Sequence, residues 1–330
     1  MNDNFWVDEH SSFWRNKKVL VTGGSGFIGS HVSELLVRRG AKVSILDHIK
    51  KQNIQSIIGK VELIEGNIDN LQTGVNACQK KDVVINMAAR VGGIEYNQTH
   101  QGSILRENLL IACNMLEAAR LAQVERFMEV SSACVYPKDA IIPTPEEEGF
   151  RGEPEQTNGG YGWGKRMGEL LSKYYQKQYK IQIGIVRPYN AYGPRDHFDP
   201  AVSHVIPALI KRVFDGEDPL VIWGSGNQKR AFLYVEDFAE GILLAVEKHC
   251  VADPINLGTN EEISIRDLIM VILKLSNKKR QVIFDTTKPD GSPRRNSDNN
   301  KAKKLIGFDA KIKLREGLEK TINWYKENYL

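Results

Sequence analysis

The 330-residue chain has only four cysteines, Cys78, Cys113, Cys134 and Cys250, with no CxxC pair and no zinc-type His/Cys spacing. A disulfide framework and a structural metal are not expected; free thiols in a reducing compartment, the cytoplasm, are. No apolar run is long enough to span a bilayer, and the polar start "MNDNFWVDEHSSFWRNKK" lacks a signal-peptide core. Repeats and low-complexity segments are missing as well. Excess charge is small, a formal +4, and the basic clusters at 277–280 and 301–304 read as solvated surface, not a nucleic-acid footprint.

The apolar residues that are present fall into short runs. "KKVLVTGG" (17–24) reads as a buried strand running into glycines, and "GSHVSELLVRRG" (29–40) as the helix after it. Further strands are expected at 41–47, 61–68, 82–89, 124–132 and 181–188, with helices at 104–123 and near 161–179. This alternation implies an α/β fold, a Rossmann-type doubly wound parallel sheet covered on both faces. Beyond Pro188 the pattern loosens, so a smaller mixed α/β lobe is expected over 189–330. The sheet domain then occupies 17–188 and an N-terminal extension 1–16, while part of 231–260 returns to the sheet. Phe5, Trp6, Phe13 and Trp14 give the extension an aromatic face for the body or for a neighbouring subunit.

Gly23, Gly26 and Gly29 stand in GxxGxxG spacing between the first strand and its helix. Glycines there bring backbone N–H groups and a helix N-terminus close to a pyrophosphate. Ser25, Phe27 and Ile28 line the same turn, and Asp47 closes the next strand, where a carboxylate binds a ribose 2′-hydroxyl. A carboxylate repels a 2′-phosphate, so NAD is expected over NADP, although His48, Lys50 and Lys51 lie close by. Asn67 and Ile68, Ala88 and Ala89, the 131–134 stretch and Pro188 complete the expected cofactor cleft at the strand ends.

"YGWGK" puts Tyr161 and Lys165 on one helix face, at i and i+4. A tyrosine is a poor acid or base near neutrality, with a free pKa of about 10. A lysine ammonium one turn away lowers that value, and so does a positively charged nicotinamide. A serine from "SSACVYP" (131–137), at the end of the fifth strand, then orients the same substrate oxygen.

With "TGGSGFIGS", "AARVGGI" (88–94), "SSACVYP", "YGWGK", "RPYNAYGPRD" (187–196), "SHVIPALI" (203–210), "WGSGNQKRAFLYVEDFAE" (223–240) and "KPDGSPRR" (288–295), the chain resembles the extended short-chain dehydrogenase/reductases. The likeness runs from Lys17 to the C-terminus and falls in the nucleotide-sugar epimerase/dehydratase branch, nearest the GDP-L-fucose synthases, with features of the GDP-mannose 3,5-epimerases. It implies Ser132, Tyr161 and Lys165 as the catalytic group for hydride chemistry at C4. It also implies Cys134 and His204 as the pair that inverts C3 or C5 of a 4-keto sugar. A ketone at C4 acidifies those carbons, and inversion needs an acid and a base on opposite ring faces. Val91, Asn190, Val205, Trp223, Arg230, Asp290 and Arg294 fall in matching segments that hold the nucleotide sugar, a GDP-hexose.

Two departures bear on the reaction. The fucose synthases consume NADPH and carry an arginine in the glycine turn, whereas Ser25 and Asp47 stand here. "SSAC" in place of "SSC" is closer to the 3,5-epimerase form. Besides the fucose-synthase-like reading, a simpler NAD-dependent 4-epimerase or 4-dehydrogenase stays open, with Cys134 and His204 lining its pocket. A dinucleotide-sensing protein without turnover is the third possibility, which intact Ser132, Tyr161 and Lys165 oppose. Relatives form homodimers through two helices, here those near 104–122 and 161–179, whose apolar stripes equally suit the sheet.

Overall fold

The computed structural model describes residues 11–48, 51–92, 94–199, 203–288 and 291–330. Phe5, Trp6, Lys50 and Asp290 lie outside them. The six early apolar runs form β1 (Lys18–Thr22), β2 (Lys42–Asp47), β3 (Glu62–Glu65), β4 (Val83–Asn86), β5 (Arg126–Val130) and β6 (Gln182–Pro188). The helices among them are α1 (Ser11–Trp14), α2 (Phe27–Arg38), α3 (Leu71–Cys78), α4 (Ile94–Thr99), α5 (Gln101–Leu121) and α6 (Gly159–Tyr179). β1 and β4 are buried along almost their whole length, as a sheet covered on both faces requires.

The later chain supplies β7 (Ala191–Tyr192), α7 (Val205–Phe214), β8 (Leu220–Trp223), β9 (Lys229–Ala231), β10 (Leu233–Tyr234) and α8 (Val235–Lys248). After these come β11 (Ile255–Leu257), β12 (Glu262–Ser264), α9 (Ile265–Ser276), β13 (Val282–Asp285), β14 (Arg294–Arg295), α10 (Asn300–Ile306) and α11 (Leu314–Tyr329). The central sheet has the order β11-β6-β5-β4-β1-β2-β3, and every pair in it is parallel. The order reverses between β1 and β4, which opens a crevice at their carboxyl ends.

One face of the sheet packs on α2 and α8 around Val21, Ile85, Met128 and Phe238. The other packs around Leu20, Met115, Leu116 and Phe127, under α3 and α5. α8 and β11 thus return to the sheet after part of the second lobe is built. That lobe has a core of its own from α7, α9 and α11, flanked by small sheets of mixed direction. Trp14 is fully buried against the body and donates its indole N–H to Glu247, so this part of the extension packs on its own chain.

Candidate active site

The glycine turn follows β1, and α2 begins immediately after it. A Cβ on Gly29 would lie 2.1 Å from the Gly23 carbonyl, so α2 seats on the turn only because that position has no side chain. Asp47 Oδ2 accepts from Ser25 N at 3.0 Å and Ser25 Oγ at 2.7 Å, which holds the carboxylate against the turn. Its Oδ1 accepts from His48 N at 2.8 Å. Across the switch point, Met87 N and Ala88 N each donate to Thr22 Oγ1 at 3.1 Å. Ala89 and Asn67 are exposed at the strand ends, and Ile68 is buried. Phe27 and Ile28 lean on the second-lobe core, and Pro188 closes β6 beside Leu257. A bare helix N-terminus with a carboxylate ending β2 fits the pyrophosphate and ribose of a dinucleotide.

Ser132 caps the short turn after β5, where its Oγ accepts from Cys134 N at 3.1 Å. Tyr161 hydrogen-bonds to Ser132 and lies within electrostatic reach of Cys134. α6 approaches this turn closely: a Cβ on Gly162 would sit 2.4 Å from the Cys134 carbonyl. Arg166 fastens the same turn, its Nε donating to Val135 O at 2.8 Å. Lys165 Nζ lies 5.9 Å from the Tyr161 ring centre and donates to Val130 O at 2.8 Å. Ser132, Cys134, Tyr161 and Lys165 are therefore one group.

The electrostatics differ from the expectation in one respect. Burial pushes the Tyr161 phenol up, not down, with Cys134 adding to it and the Ser132 hydrogen bond opposing. Burial likewise pulls the Lys165 ammonium below its usual value. Burial is thus the dominant influence on both groups.

The second-lobe residues are placed less uniformly. His204 stands at the N-terminus of α7, 63% exposed, with Asp196 Oδ1 3.5 Å from its Nδ1. The hydrogen bond to Asp196 raises its pKa. Asp196 is buried, and its other oxygen has no hydrogen-bond partner. Arg230 is partly buried, and Trp223 is 66% exposed beneath Lys288. Val91 is exposed, and Val205 packs on the second-lobe core. Asn190 is occupied structurally, donating to Ala231 O at 2.8 Å.

Arg294 makes an ion pair with Glu262 at 2.8 Å, whereas Arg295 reaches to 3.8 Å from Cys134 Sγ. Successive strand residues point to opposite faces, so β14 sends only one of the two arginines inward. Sequence reasoning missed Arg295, and also Glu129, a buried acid on β5 with Oε1 3.9 Å from Lys165 Nζ. An acid within the apolar run "RFMEV" was the available signal. Among the described residues no group of metal-ligating side chains assembles, and no helix is long and apolar enough to cross a membrane.

A dinucleotide cradle and a serine–tyrosine–lysine group at one edge of a parallel sheet define an enzyme of the short-chain dehydrogenase/reductase class. The chain belongs to the NAD dependent epimerase/dehydratase family, whose model matches residues 19–258. It is 31% identical to a probable GDP-L-fucose synthase of Oryza sativa, with 98% of this chain and 97% of that one covered. It is also 31% identical to a GDP-mannose 3,5-epimerase of Arabidopsis thaliana, over 97% of this chain and 85% of the other. The solved structure of an epimerase from Methanothermobacter thermautotrophicus superposes with a TM-score of 0.88 at 28% identity, covering 97% of this chain and 95% of that one.

Proposed function

We propose that the protein is an NAD-dependent epimerase and oxidoreductase of a GDP-linked hexose, acting at C4 through Ser132, Tyr161 and Lys165 and at C3 or C5 through Cys134 and His204. The turn at 132–134 carries this reading. Its serine reaches the Tyr161 phenol, and its cysteine lies beside both that phenol and the Arg295 guanidinium. Similarity to GDP-L-fucose synthases and to a GDP-mannose 3,5-epimerase favours a GDP-linked substrate.

Bound NAD supplies hydride acceptance from, and return to, the C4 carbon. The protein's own groups do the rest. Tyr161 takes the C4 hydroxyl proton, and Ser132 orients that oxygen. The Lys165 ammonium favours the phenolate that burial disfavours. Once C4 is a ketone, the carbanion at C3 or C5 delocalises as an enolate. Cys134 then exchanges a proton on one ring face and His204 on the other. Arg295 adds positive charge beside the sulfur while it is anionic.

The Asp47 carboxylate, held on the turn by Ser25, supports NAD over NADP, since it repels a 2′-phosphate. Four free cysteines support a reducing, cytoplasmic setting. Exposed Tyr174 on α6 and Leu121 on α5 support pairing of two copies through these helices.

The test is a panel of GDP-, UDP- and dTDP-sugars with NAD(H) or NADP(H) in deuterated water, read by mass spectrometry. Deuterium bound to C3 or C5 of a GDP-sugar, lost in Cys134→Ser, is expected. C4 oxidation or inversion without label replaces the reading with a simple 4-epimerase or 4-dehydrogenase. Tyr161→Phe is expected to lower turnover by about 10³-fold; unchanged turnover removes the phenol from the mechanism.

A further inference from the structure

Glu129 is a buried carboxylate that the mechanism above leaves unused. It lies 2% exposed on β5, a strand whose other central residues are Phe127, Met128 and Val130. Burying an ionisable group in such a strand is costly without a partner. Two features mark the position as built to hold one. A Cβ on Gly168 of α6 would stand 3.2 Å from Glu129 Oε1, so the helix leaves the carboxylate its space. On the other side Asn86 Nδ2 donates to Oε2 at 2.9 Å, and Asn86 Oδ1 accepts from Thr22 Oγ1 at 2.8 Å. Thr22 directly precedes the glycine turn and also receives the amides of Met87 and Ala88. A continuous polar chain therefore joins the cofactor cradle to the carboxylate that faces Lys165.

We infer that Glu129 is the counter-ion of Lys165, a positioning residue that keeps the ammonium charged and fixed beside Tyr161. The inference rests on the proposed role of Tyr161 as acid and base. Lys165 is enclosed, and its hydrogen bond in the protein goes to a neutral carbonyl, Val130 O. Enclosure alone favours the uncharged amine, and an uncharged amine has nothing to offer a phenolate. A carboxylate 3.9 Å away works against that loss by favouring the charged form.

The other groups around Glu129 contribute less. Glu169 on α6 also favours the Lys165 charge, more weakly than Glu129, and is itself bound by Arg187 of β6 through two hydrogen bonds, at 2.9 and 2.6 Å. Cys113 on α5 feels the Glu129 charge but brings none of its own. Tyr161 is repelled by Glu129, yet this is the smallest of the influences on that phenol.

Glu129→Gln keeps the size and the Asn86 contact while removing the charge. In the pH profile of kcat/KM, followed by nicotinamide absorbance, its alkaline limb is expected to fall by about one pH unit or more, as Lys165 loses its proton earlier. Glu129→Asp restores part of the shift. A limb that stays in place or moves upward overturns the inference. A second measurement needs no turnover: thermal unfolding of Glu129→Gln, Lys165→Met and the double variant. The double variant is expected to be less destabilised than the two singles together, because each single strands a buried charge. Strictly additive losses also overturn the inference. The cycle separates its failure from failure of the proposed reaction, since it reads the pair whether or not any sugar is turned over.

Discussion

The two halves of the site are built in opposite ways. The sheet-side half, around Ser132, Tyr161 and Lys165, is enclosed and internally bonded, with Arg187 and Glu169 paired behind it at under 3 Å. The second-lobe half presents His204 at 63% exposure and Arg294 on an accessible ion pair. Removing one partner of a buried pair such as Arg187–Glu169 costs about 3–5 kcal/mol, whereas an exposed pair contributes roughly 0–1 kcal/mol. Hydride chemistry at one carbon needs fixed geometry, and a closed polar network supplies it. A nucleotide sugar must enter and leave, and the open half leaves room for that. On the proposed function, rigid chemistry and permissive binding are divided between the lobes.

Arg295 stands at the seam, a second-lobe residue 3.8 Å from a sheet-side thiol, and its removal tests the division most severely. Arg295→Leu is expected to lower carbon-bound deuterium exchange at C3 or C5 by about 10–100-fold, the loss of one charge-assisted contact. C4 hydride transfer, measured separately by nicotinamide absorbance, should change less. Equal loss of both activities would mean that Arg295 holds the substrate as a whole, and the two halves would then not be separable.

Asp196 tests the open half. It supports His204 from beneath, and its hydrogen bond is what raises the imidazole pKa. Asp196→Asn is expected to slow exchange by about tenfold and to move the His204 limb of the pH profile to lower pH. Hydride transfer should keep its own pH profile. A His204 limb that does not move would detach Asp196 from the chemistry.

The sheet was legible because parallel strands buried on both faces read as continuous apolar runs, as "KKVLVTGG" does. The cradle was legible because close packing at Gly29 and a carboxylate at Asp47 demand particular residues at particular spacings. Tyr161 and Lys165 share a helix face, and one turn of sequence places them together. What stayed hidden depends on tertiary parity and closure. Which of Arg294 and Arg295 turns inward follows from how β14 pairs with β9, and local sequence does not encode that. Glu129 acquires meaning only when α6 lies across β5. The upward push on Tyr161 comes from enclosure by several elements at once, while the i,i+4 lysine is all that the sequence displays.

The smallest effect at neutral pH concerns how the halves are joined. His31, buried on α2, meets Pro194 O at 3.0 Å, and Arg195 beside it donates to Glu34 at 2.8 Å and Ser30 at 3.2 Å. These contacts tie the second-lobe loop that bears Asp196 to the cofactor helix. Burial, with the Arg195 cation adding to it, pulls the His31 pKa down to about 4. An unfolded histidine titrates near 6.5, so between those values the unfolded chain binds the proton more readily than the folded one. The stabilisation from neutral His31 is therefore complete above about pH 6.5 and is lost as pH falls toward 4, by at most on the order of 3 kcal/mol. His31→Gln is expected to change melting temperature little at pH 7.5 and to flatten its fall between pH 6.5 and 4.5, measured by circular dichroism. If the variant keeps the full acid slope, carboxylates elsewhere carry it. The junction between the closed and open halves would then be indifferent to pH.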